Sequence, residues 1–260
     1  MSRPAPQALL ITSSRIGDAV LFSGVIDALM RETPGVEITV ACGPISAPLF
    51  RGFEAVKHVW IMRPDSRGGR WWNLWRKAWP VPWDSVVDLR GSAFAWTVRA
   101  RRRRIHNPRQ TVGLHRVEAL GRVLGVSPPP APRIPSDAAA RAAAQAVLGR
   151  PGPWLALAPV AASADKTWPA ERWAELAQRL LARPELAGWS VAVIAGPGER
   201  AGAEPTLAAA GTRGVDAIDR LDVLGAAALL EQASLFIGND SGMAHLSAAV
   251  GAPTLALFGP

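Results

Sequence analysis

The feature that most constrains the fold is a repeated alternation of short apolar strands with helical segments. Strands are predicted at QALLITS, VEITVA, HVWIM and SVVDL in the first half, and at PWLALAP, WSVAVIAG, SLFIGN and PTLALFG in the second. Helices are predicted between and around them, over 18–31, 92–102, 115–124, 137–148, 168–181, 199–210, 223–232 and 241–250. This alternation is typical of an α/β fold with parallel sheets.

A proline-rich stretch divides the pattern into two halves. Residues 127–135 hold five prolines, which exclude a helix and favour a semi-rigid, extended connector. We therefore predict two α/β domains, 1–130 and 131–260. A cleft between two such domains is a common place for a ligand to bind.

Composition narrows the class of protein. The chain is 49% hydrophobic and 19% charged, which is globular and not disordered. Its one cysteine, Cys42, excludes a disulfide framework and a cysteine-rich zinc site and suits a reducing compartment. The N-terminus lacks the pattern of a signal peptide, and no apolar run approaches 18 residues. We predict a cytoplasmic protein without a transmembrane segment.

Charge leaves two interpretations open. The net charge is +8, and RRRR at 101–104 either meets an anionic partner or is a solvated loop or helix end. Since the run is not interleaved with aromatic residues, nucleic-acid binding has little support. The tryptophan-rich segment 71–83 either covers a core or contacts an amphipathic acceptor or a membrane interface.

The chain ends in FIGNDSGMAHLSAAVGAPTLALFGP, a strand followed by a turn, a helix and a second strand. The first amides of that helix have no internal partners, and Gly242 lets a ligand approach them, so the corner can hold a phosphate. Asp240 can accept hydrogen bonds from sugar hydroxyls, and His245 lies one turn along the helix. The alternative is that Asp240 or Ser241 only caps the helix while His245 packs against a neighbour.

Three other stretches carry candidate site residues. Asp18, in SSRIGDAV, follows the first strand and is either a helix cap or a general base. Lys166, in SADKTWPAERW, can neutralise a departing diphosphate or simply be solvated. Glu199, in AGPGER, can accept ribose hydroxyls or begin a helix favourably. The histidines lack the spacing of metal ligands, and no D-x-D pair is present, so we predict no metal site.

These stretches, in this order, resemble glycosyltransferase family 9, the lipopolysaccharide heptosyltransferase family. SRIGDAVLFSGVIDALM is similar to its N-terminal signature, KTWPAERWAELAQRL to its mid-chain lysine-tryptophan-proline element, and IGNDSGMAHLSAAVGAPTLALFGP to its C-terminal donor motif. The resemblance implies a GT-B architecture, in which two Rossmann-like domains face each other across a cleft. The acceptor then lies on the N-terminal side and the nucleotide-sugar on the C-terminal side.

The resemblance also implies roles for individual residues. Asp18 matches the catalytic base, and Lys166 matches a residue that contacts the donor phosphates. The other matches concern the donor. Asp240 matches a residue that holds the sugar hydroxyls, Glu199 more loosely matches one that binds the ribose, and the remaining four match positions around the diphosphate. In full, the donor-binding residues are predicted to be Ser163, Glu199, Asp240, Ser241, Gly242 and His245.

The reaction implied is an inverting, metal-independent transfer of a heptose from ADP-heptose to a lipopolysaccharide core sugar. The enzyme needs no cofactor besides this donor, and it meets its anionic acceptor peripherally at the inner membrane. Family members usually continue beyond the Phe-Gly-Pro at 258–260, so the resemblance implies an incomplete C-terminal domain. The alternatives are a transferase for another nucleotide-sugar or acceptor, and a non-catalytic nucleotide-binding module derived from one.

Overall fold

A computed structural model describes residues 4–63 and 69–259. The chain divides into two compact units, Met1–Ile134 and Pro135–Pro260. Each unit contains a five-stranded sheet whose strands all pair in parallel. The predicted α/β fold with two parallel sheets is therefore confirmed.

The sheet of unit 1 has the strand order β3-β2-β1-β4-β5. Its central strand pairs with β2 through Leu9↔Thr39 and with β4 through Leu9↔Val86. The strands are β1 Gln7–Ile11, β2 Glu37–Cys42, β3 Val56–Ile61, β4 Trp83–Asp88 and β5 Ala100–Ile105. The helices are α1 Ile16–Leu21, α2 Gly24–Glu32, α3 Gly69–Ala78 and α4 Arg116–Leu124.

The sheet of unit 2 has the order β10-β9-β6-β7-β8, with β6 in the middle. The strands are β6 Trp154–Ala158, β7 Ser190–Ala195, β8 Gly214–Ile218, β9 Leu235–Asn239 and β10 Thr254–Leu257. The helices are α5 Ala138–Leu148, α6 Ala170–Leu181, α7 Arg200–Ala210, α8 Val223–Leu230 and α9 Gly242–Ala249. Apolar side chains of β6, β7 and β9 pack with α6 and α7 around the fully buried Trp173.

The predicted helix over 92–102 is wrong. A short 3₁₀ turn occupies Ala93–Trp96, and the arginine-rich sequence ARRRRI forms the edge strand β5. Hydrophobic periodicity missed this strand because four of its six side chains are arginines. Strand β8 and helix α3 were not predicted either.

The predicted helix over 18–31 is two helices. The chain breaks between α1 and α2, where the Ser23 hydroxyl donates to the Val20 carbonyl at 2.7 Å. Gly24 then starts α2 against the proline-rich segment, and a β-carbon there would lie 2.6 Å from the Ala131 carbonyl oxygen. The break lets the start of α2 pack closely on the connector.

The proline-rich segment packs on unit 1. The guanidinium of Arg133 donates to both carboxylate oxygens of Asp27, at 2.9 and 2.7 Å, and its amide donates to the Ser23 hydroxyl at 3.0 Å. These bonds extend unit 1 to Ile134, whereas the sequence placed the boundary at 130.

Candidate functional site

Strand order fixes one location in each unit for the loops that carry the candidate residues. In an α/β sheet, ligands bind outside the carboxyl ends of the strands where the order reverses. That point lies between β1 and β4 in unit 1 and between β6 and β9 in unit 2. Asp18 follows β1, Lys166 follows β6 and Asp240 follows β9, so each lies at such a point.

In unit 2 the structure brings Lys166 and Asp240 together. The lysine ammonium donates to Oδ2 of Asp240, although the two residues are 74 positions apart in the sequence. The lysine side chain is 52% exposed and the aspartate side chain 20%. An ion pair exposed to this degree contributes little to stability, so the ammonium can move to another anion.

Asn239, the last residue of β9, holds the Lys166 loop in place. Its side chain is fully buried, its amide donates to the Pro159 carbonyl at 2.8 Å, and its Oδ1 accepts the Trp168 amide at 3.1 Å. Sequence reasoning did not select this residue. The available signal was a polar residue that ends an apolar strand, beside Asp240.

Helix α9 begins at this corner without a side-chain cap. Ser241 is its N-cap residue in extended conformation, but its hydroxyl makes no capping bond. That hydroxyl oxygen is buried and has no hydrogen-bond partner among the described residues. The alternative that Ser241 caps the helix is thus wrong. Gly242 is the first helical residue, and the half-buried His245 lies one turn along. The helix presents an uncapped, partly positive N-terminus beside Lys166 and Asp240.

Ser163 and Glu199 occupy neighbouring loops of unit 2. Ser163 is exposed and precedes the 3₁₀ turn Ala164–Lys166, where its carbonyl accepts the Lys166 amide at 3.1 Å. The carboxylate of Glu199 accepts the Gly196 amide at 2.6 Å and so closes the turn after β7. The structure thus gives Glu199 a local backbone partner, and its contact with a ribose stays a prediction.

In unit 1, Asp18 lies in the first turn of α1, where the helix dipole favours a carboxylate. Its side chain is 23% exposed. The Ser13 hydroxyl donates to Oδ2 at 3.3 Å, and Arg116 Nε lies 3.6 Å from Oδ1. Arg15, not Asp18, is the N-cap residue of this helix, so the alternative of a capping role is wrong. The carboxylate remains available to solvent and to a proton donor.

Sequence reasoning missed two further titratable groups of unit 1, Asp88 and His106. Asp88, the last residue of β4, is fully buried and accepts the amides of Arg90 and Ser92 at 2.9 and 3.1 Å. Burial raises the pKa of Asp88 above its usual value. Burial, and then the charge of Arg116, lower the pKa of His106, whose Nε2 lies 3.0 Å from the Thr111 hydroxyl. Arg116 thus lies beside Asp18 and also lowers the pKa of His106.

The arginine run is largely engaged within unit 1, so the prediction of a solvated loop or helix end is wrong. Arg102 and Arg104 both bond to Glu32, and the hydrogen bond from Arg104 is the main cause that lowers the pKa of that carboxyl. Nη1 of Arg101 lies 3.3 Å from Oδ1 of Asp84. Arg103 donates to the carbonyls of Ala95, Val98 and Ala100, at 2.8, 2.7 and 3.0 Å.

Cys42 is buried, and burial raises the pKa of its thiol to about 11. Within residues 4–63 and 69–259, no three His, Cys, Asp or Glu side chains come together in a group that could hold a metal ion. Over the same residues, no helix combines the length and the apolar character needed to cross a bilayer.

Comparison with known proteins adds family information to this geometry. A family model described as glycosyltransferase family 9 (heptosyltransferase) matches residues 89–260. That range contains the whole Lys166–Asp240 corner, whereas Asp18 precedes it. A curated relative, lipopolysaccharide heptosyltransferase 1 of Pseudomonas aeruginosa, is 41% identical over 98 residues. The match spans 36% of this chain and only 25% of that relative.

Two solved structures show the same fold at low identity. A glycosyltransferase family 9 protein from Veillonella parvula superimposes with a TM-score of 0.79 and 18% identity, covering 96% of this chain and 80% of that chain. The Escherichia coli heptosyltransferase WaaC, solved with ADP-2-deoxy-2-fluoro heptose, superimposes with a TM-score of 0.72 and 18% identity. That match covers 98% of this chain and 89% of WaaC. The predicted GT-B fold class is therefore confirmed.

Proposed function

We propose a function from one premise: this chain belongs to glycosyltransferase family 9. The proposed reaction transfers a heptose from ADP-heptose to a sugar hydroxyl of a lipopolysaccharide core acceptor, with inversion at the anomeric carbon. One observation supports it most directly. At the carboxyl ends of β6 and β9, an ammonium, a carboxylate and an uncapped helix N-terminus lie together.

The donor would bind at this corner of unit 2. A diphosphate suits the Lys166 ammonium and the first amides of α9, which supply positive charge on adjacent sides. The Asp240 carboxylate can then accept hydrogen bonds from sugar hydroxyls once the ammonium moves to the diphosphate. Ser241 and Ser163 offer hydroxyls nearby, and His245 lies on the first turns of the helix. ADP-heptose is proposed as the donor because WaaC was solved with an ADP-linked fluoro-heptose.

The chemical step needs a base and stabilisation of the leaving group. In this proposal Asp18 accepts the proton of the attacking hydroxyl as the new carbon–oxygen bond forms at the anomeric carbon. The bond from that carbon to the diphosphate oxygen breaks at the same time, and the electron pair leaves with ADP. Lys166 and the α9 N-terminus stabilise the charge that grows on the diphosphate, which lowers the barrier.

The acceptor side is proposed for unit 1 and the donor side for unit 2. A lipopolysaccharide core is anionic and is held in a membrane, so the enzyme would act on the cytoplasmic side and bind peripherally at the membrane surface. The net charge of +8 favours such an acceptor. The basic residues that remain exposed outside the internally bonded arginine run would carry this attraction.

Binding and turnover together test the proposal. The chain is titrated with ADP-, UDP- and GDP-linked sugars, and ADP-heptose should bind most tightly. It is then incubated with ADP-heptose and a heptose-free lipopolysaccharide core, and the product is analysed by mass spectrometry and by NMR of the new anomeric centre. Tighter binding of a UDP- or GDP-linked sugar would reject ADP-heptose as the donor. Binding without product, under conditions in which a family enzyme turns over, would favour a non-catalytic module.

A further inference from the structure

Helix α3 carries a row of tryptophans on its outer side. Trp72 and Trp75 lie in the helix, and Trp79 directly follows its last residue, with its amide donating to the Trp75 carbonyl at 2.8 Å. Their spacing of three and four residues places the three indoles along one side. The rings of Trp72 and Trp75 stack with centroids 5.0 Å apart, and those of Trp75 and Trp79 lie 5.2 Å apart. Trp72 is 61% exposed and Trp79 is 44% exposed.

The hydrophobic core of unit 1 does not require these exposed indoles. Leu74 and Ala78 on the inner side of α3 are buried in the core cluster, and Trp71 packs against Phe94. Trp75 is anchored by a hydrogen bond from its Nε1 to the Thr97 carbonyl at 3.3 Å. Trp72 and Trp79 therefore extend an anchored aromatic surface into solvent, where large apolar groups are unfavourable unless something covers them.

A fourth indole lies on the segment that Trp75 contacts. Trp96, next to Thr97, is 70% exposed, and the guanidinium carbon of Arg103 lies 5.7 Å from its ring centroid. The guanidinium carbon of Arg99 lies 5.6 Å from the ring centroid of Trp79. We call the four residues Trp72, Trp75, Trp79 and Trp96 the indole face.

The charged side chains of α3 itself are all basic. The sequence of α3, GRWWNLWRKA, contains three basic residues and no acidic residue. Arg76 and Lys77, in its last turn, are both exposed. Tryptophan is enriched at membrane–water interfaces, and nearby lysine and arginine side chains are attracted to anionic headgroups. The surface therefore has the composition of an interfacial helix.

The ring geometry favours a lipid surface over single-stranded nucleic acid. A base would need an open ring face on which to stack. Trp72 and Trp75 cover each other with an interplanar angle of 19°, and guanidinium groups lie over Trp79 and Trp96. The exposed indole surface is therefore available for insertion among headgroups more than for base stacking.

We propose that the indole face and the adjacent, exposed Arg76 and Arg99 form the surface by which unit 1 docks on an anionic phospholipid bilayer. Lys77 is left out because its ammonium lies over the ring of Trp60, 5.7 Å from the centroid. The proposal deepens the proposed function, because it names the surface that would bring a transferase to a membrane-held acceptor. Its test uses no sugar or nucleotide, so its failure is distinct from a failure of the transferase reaction.

The experiment is vesicle co-sedimentation of the full chain. Wild type should sediment with phosphatidylcholine vesicles that contain 30% phosphatidylglycerol and much less with pure phosphatidylcholine. Arg76→Glu and Arg99→Glu should each weaken binding to the anionic vesicles by about fivefold or more. Trp72→Ser combined with Trp79→Ser should lower it by at least tenfold at unchanged salt. Phe258→Ser, which removes an equally exposed aromatic from unit 2, is the control and should bind as wild type does.

Further measurements keep the result decisive. Both tryptophan positions are exposed, so the double variant should keep the wild-type melting temperature; if it does not, the two charge reversals decide the question. The proposal is overturned if wild type ignores the anionic vesicles or if the indole-face variants bind them like wild type. A third result would also overturn it: wild type does not bind vesicles but forms a dimer or binds a single-stranded oligonucleotide, and the indole-face variants lose that binding.

Discussion

The two units share one strand order but carry opposite chemistry at the same position in the sheet. In unit 1 the loop after the central strand leads to a carboxylate, Asp18, with Arg116 beside it. In unit 2 the loop after the central strand leads to an ammonium, Lys166, with Asp240 beside it and a helix N-terminus next to both. Topology therefore sets where a site can form, and the loop residues set which charge it can bind.

Under the proposed function, this difference gives the carboxyl ends of the two sheets separate roles. A partly exposed carboxylate can take up a proton, and a cationic corner can hold a diphosphate. The roles can be separated experimentally, because changes in unit 1 should alter turnover and changes in unit 2 should alter donor affinity.

The largest effect is expected for Asp18→Asn. Loss of a general base should lower turnover by about 10²–10⁴-fold, since the amide cannot accept the proton. The affinity for ADP-heptose, measured by calorimetry, should stay within about twofold of wild type because unit 2 is unchanged. Glu54→Gln, an exposed change elsewhere in unit 1, is the matched control. Normal turnover in Asp18→Asn, or loss of donor binding with the chemical step intact, would reject the base role.

Lys166→Ala should be next in size. Removal of a charge-assisted contact to the diphosphate should weaken ADP binding by about tenfold or more. Lys166→Arg should recover part of the affinity because it keeps the charge, and Lys57→Ala, an exposed lysine in unit 1, should change nothing. Equal affinities of the alanine variant and wild type for ADP would show that Lys166 does not contact the donor.

Asn239→Ala tests whether the loop of Lys166 is held by the end of β9. The substitution leaves the Pro159 carbonyl and the Trp168 amide without their partner, which should cost about 2 kcal/mol of local stability. Hydrogen-exchange mass spectrometry should show lost protection over 159–168. Asn107→Ala, which removes an exposed cap in unit 1, should leave that segment unaffected. Unchanged protection at 159–168 would contradict the holding role.

The smallest effect concerns pH and unit 1. Burial and the charge of Arg116 lower the pKa of His106, so the native state favours the neutral ring. The corresponding stability is complete above the unfolded pKa of about 6.5 and is lost as pH falls through and below it. The unfolding free energy of wild type should therefore fall more between pH 7.5 and 5.5 than that of His106→Gln. Arg116→Gln should raise the pKa of His106 in an NMR titration. An unchanged pKa would show that the charge of Arg116 does not act on His106.

Much of the framework could be predicted from the sequence because its signals are local. Alternating apolar strands and helices indicated parallel sheets, and the prolines of 127–135 marked the change of unit to within a few residues. Motifs at the ends of predicted strands indicated that Asp18, Lys166 and Asp240 are candidate site residues. Strand β5 was missed because its pattern is charged, and it forms only because β4 and Glu32 lie beside it.

The partners of the candidate residues were beyond prediction for a different reason. Long-range contacts and burial distinguish these partners, namely Asn239, Arg116 and Asp88. Neither a long-range contact nor the burial of a polar residue leaves a periodic signal in the sequence. The same holds for the arginine run, for which charge left an anionic partner and a solvated loop or helix end both open, and which largely contacts acids and carbonyls of its own unit.

By itself, the sequence determined the α/β class, the two-unit division and the strand ends that carry the candidate site residues, because local hydrophobic and turn patterns set these. Only the tertiary structure decided that Lys166 meets Asp240 across 74 positions, that Arg116 lies beside Asp18 and that Trp72 and Trp79 stay exposed. The physical reason is that strand order and helix packing bring distant residues together, and both are properties of the folded chain as a whole.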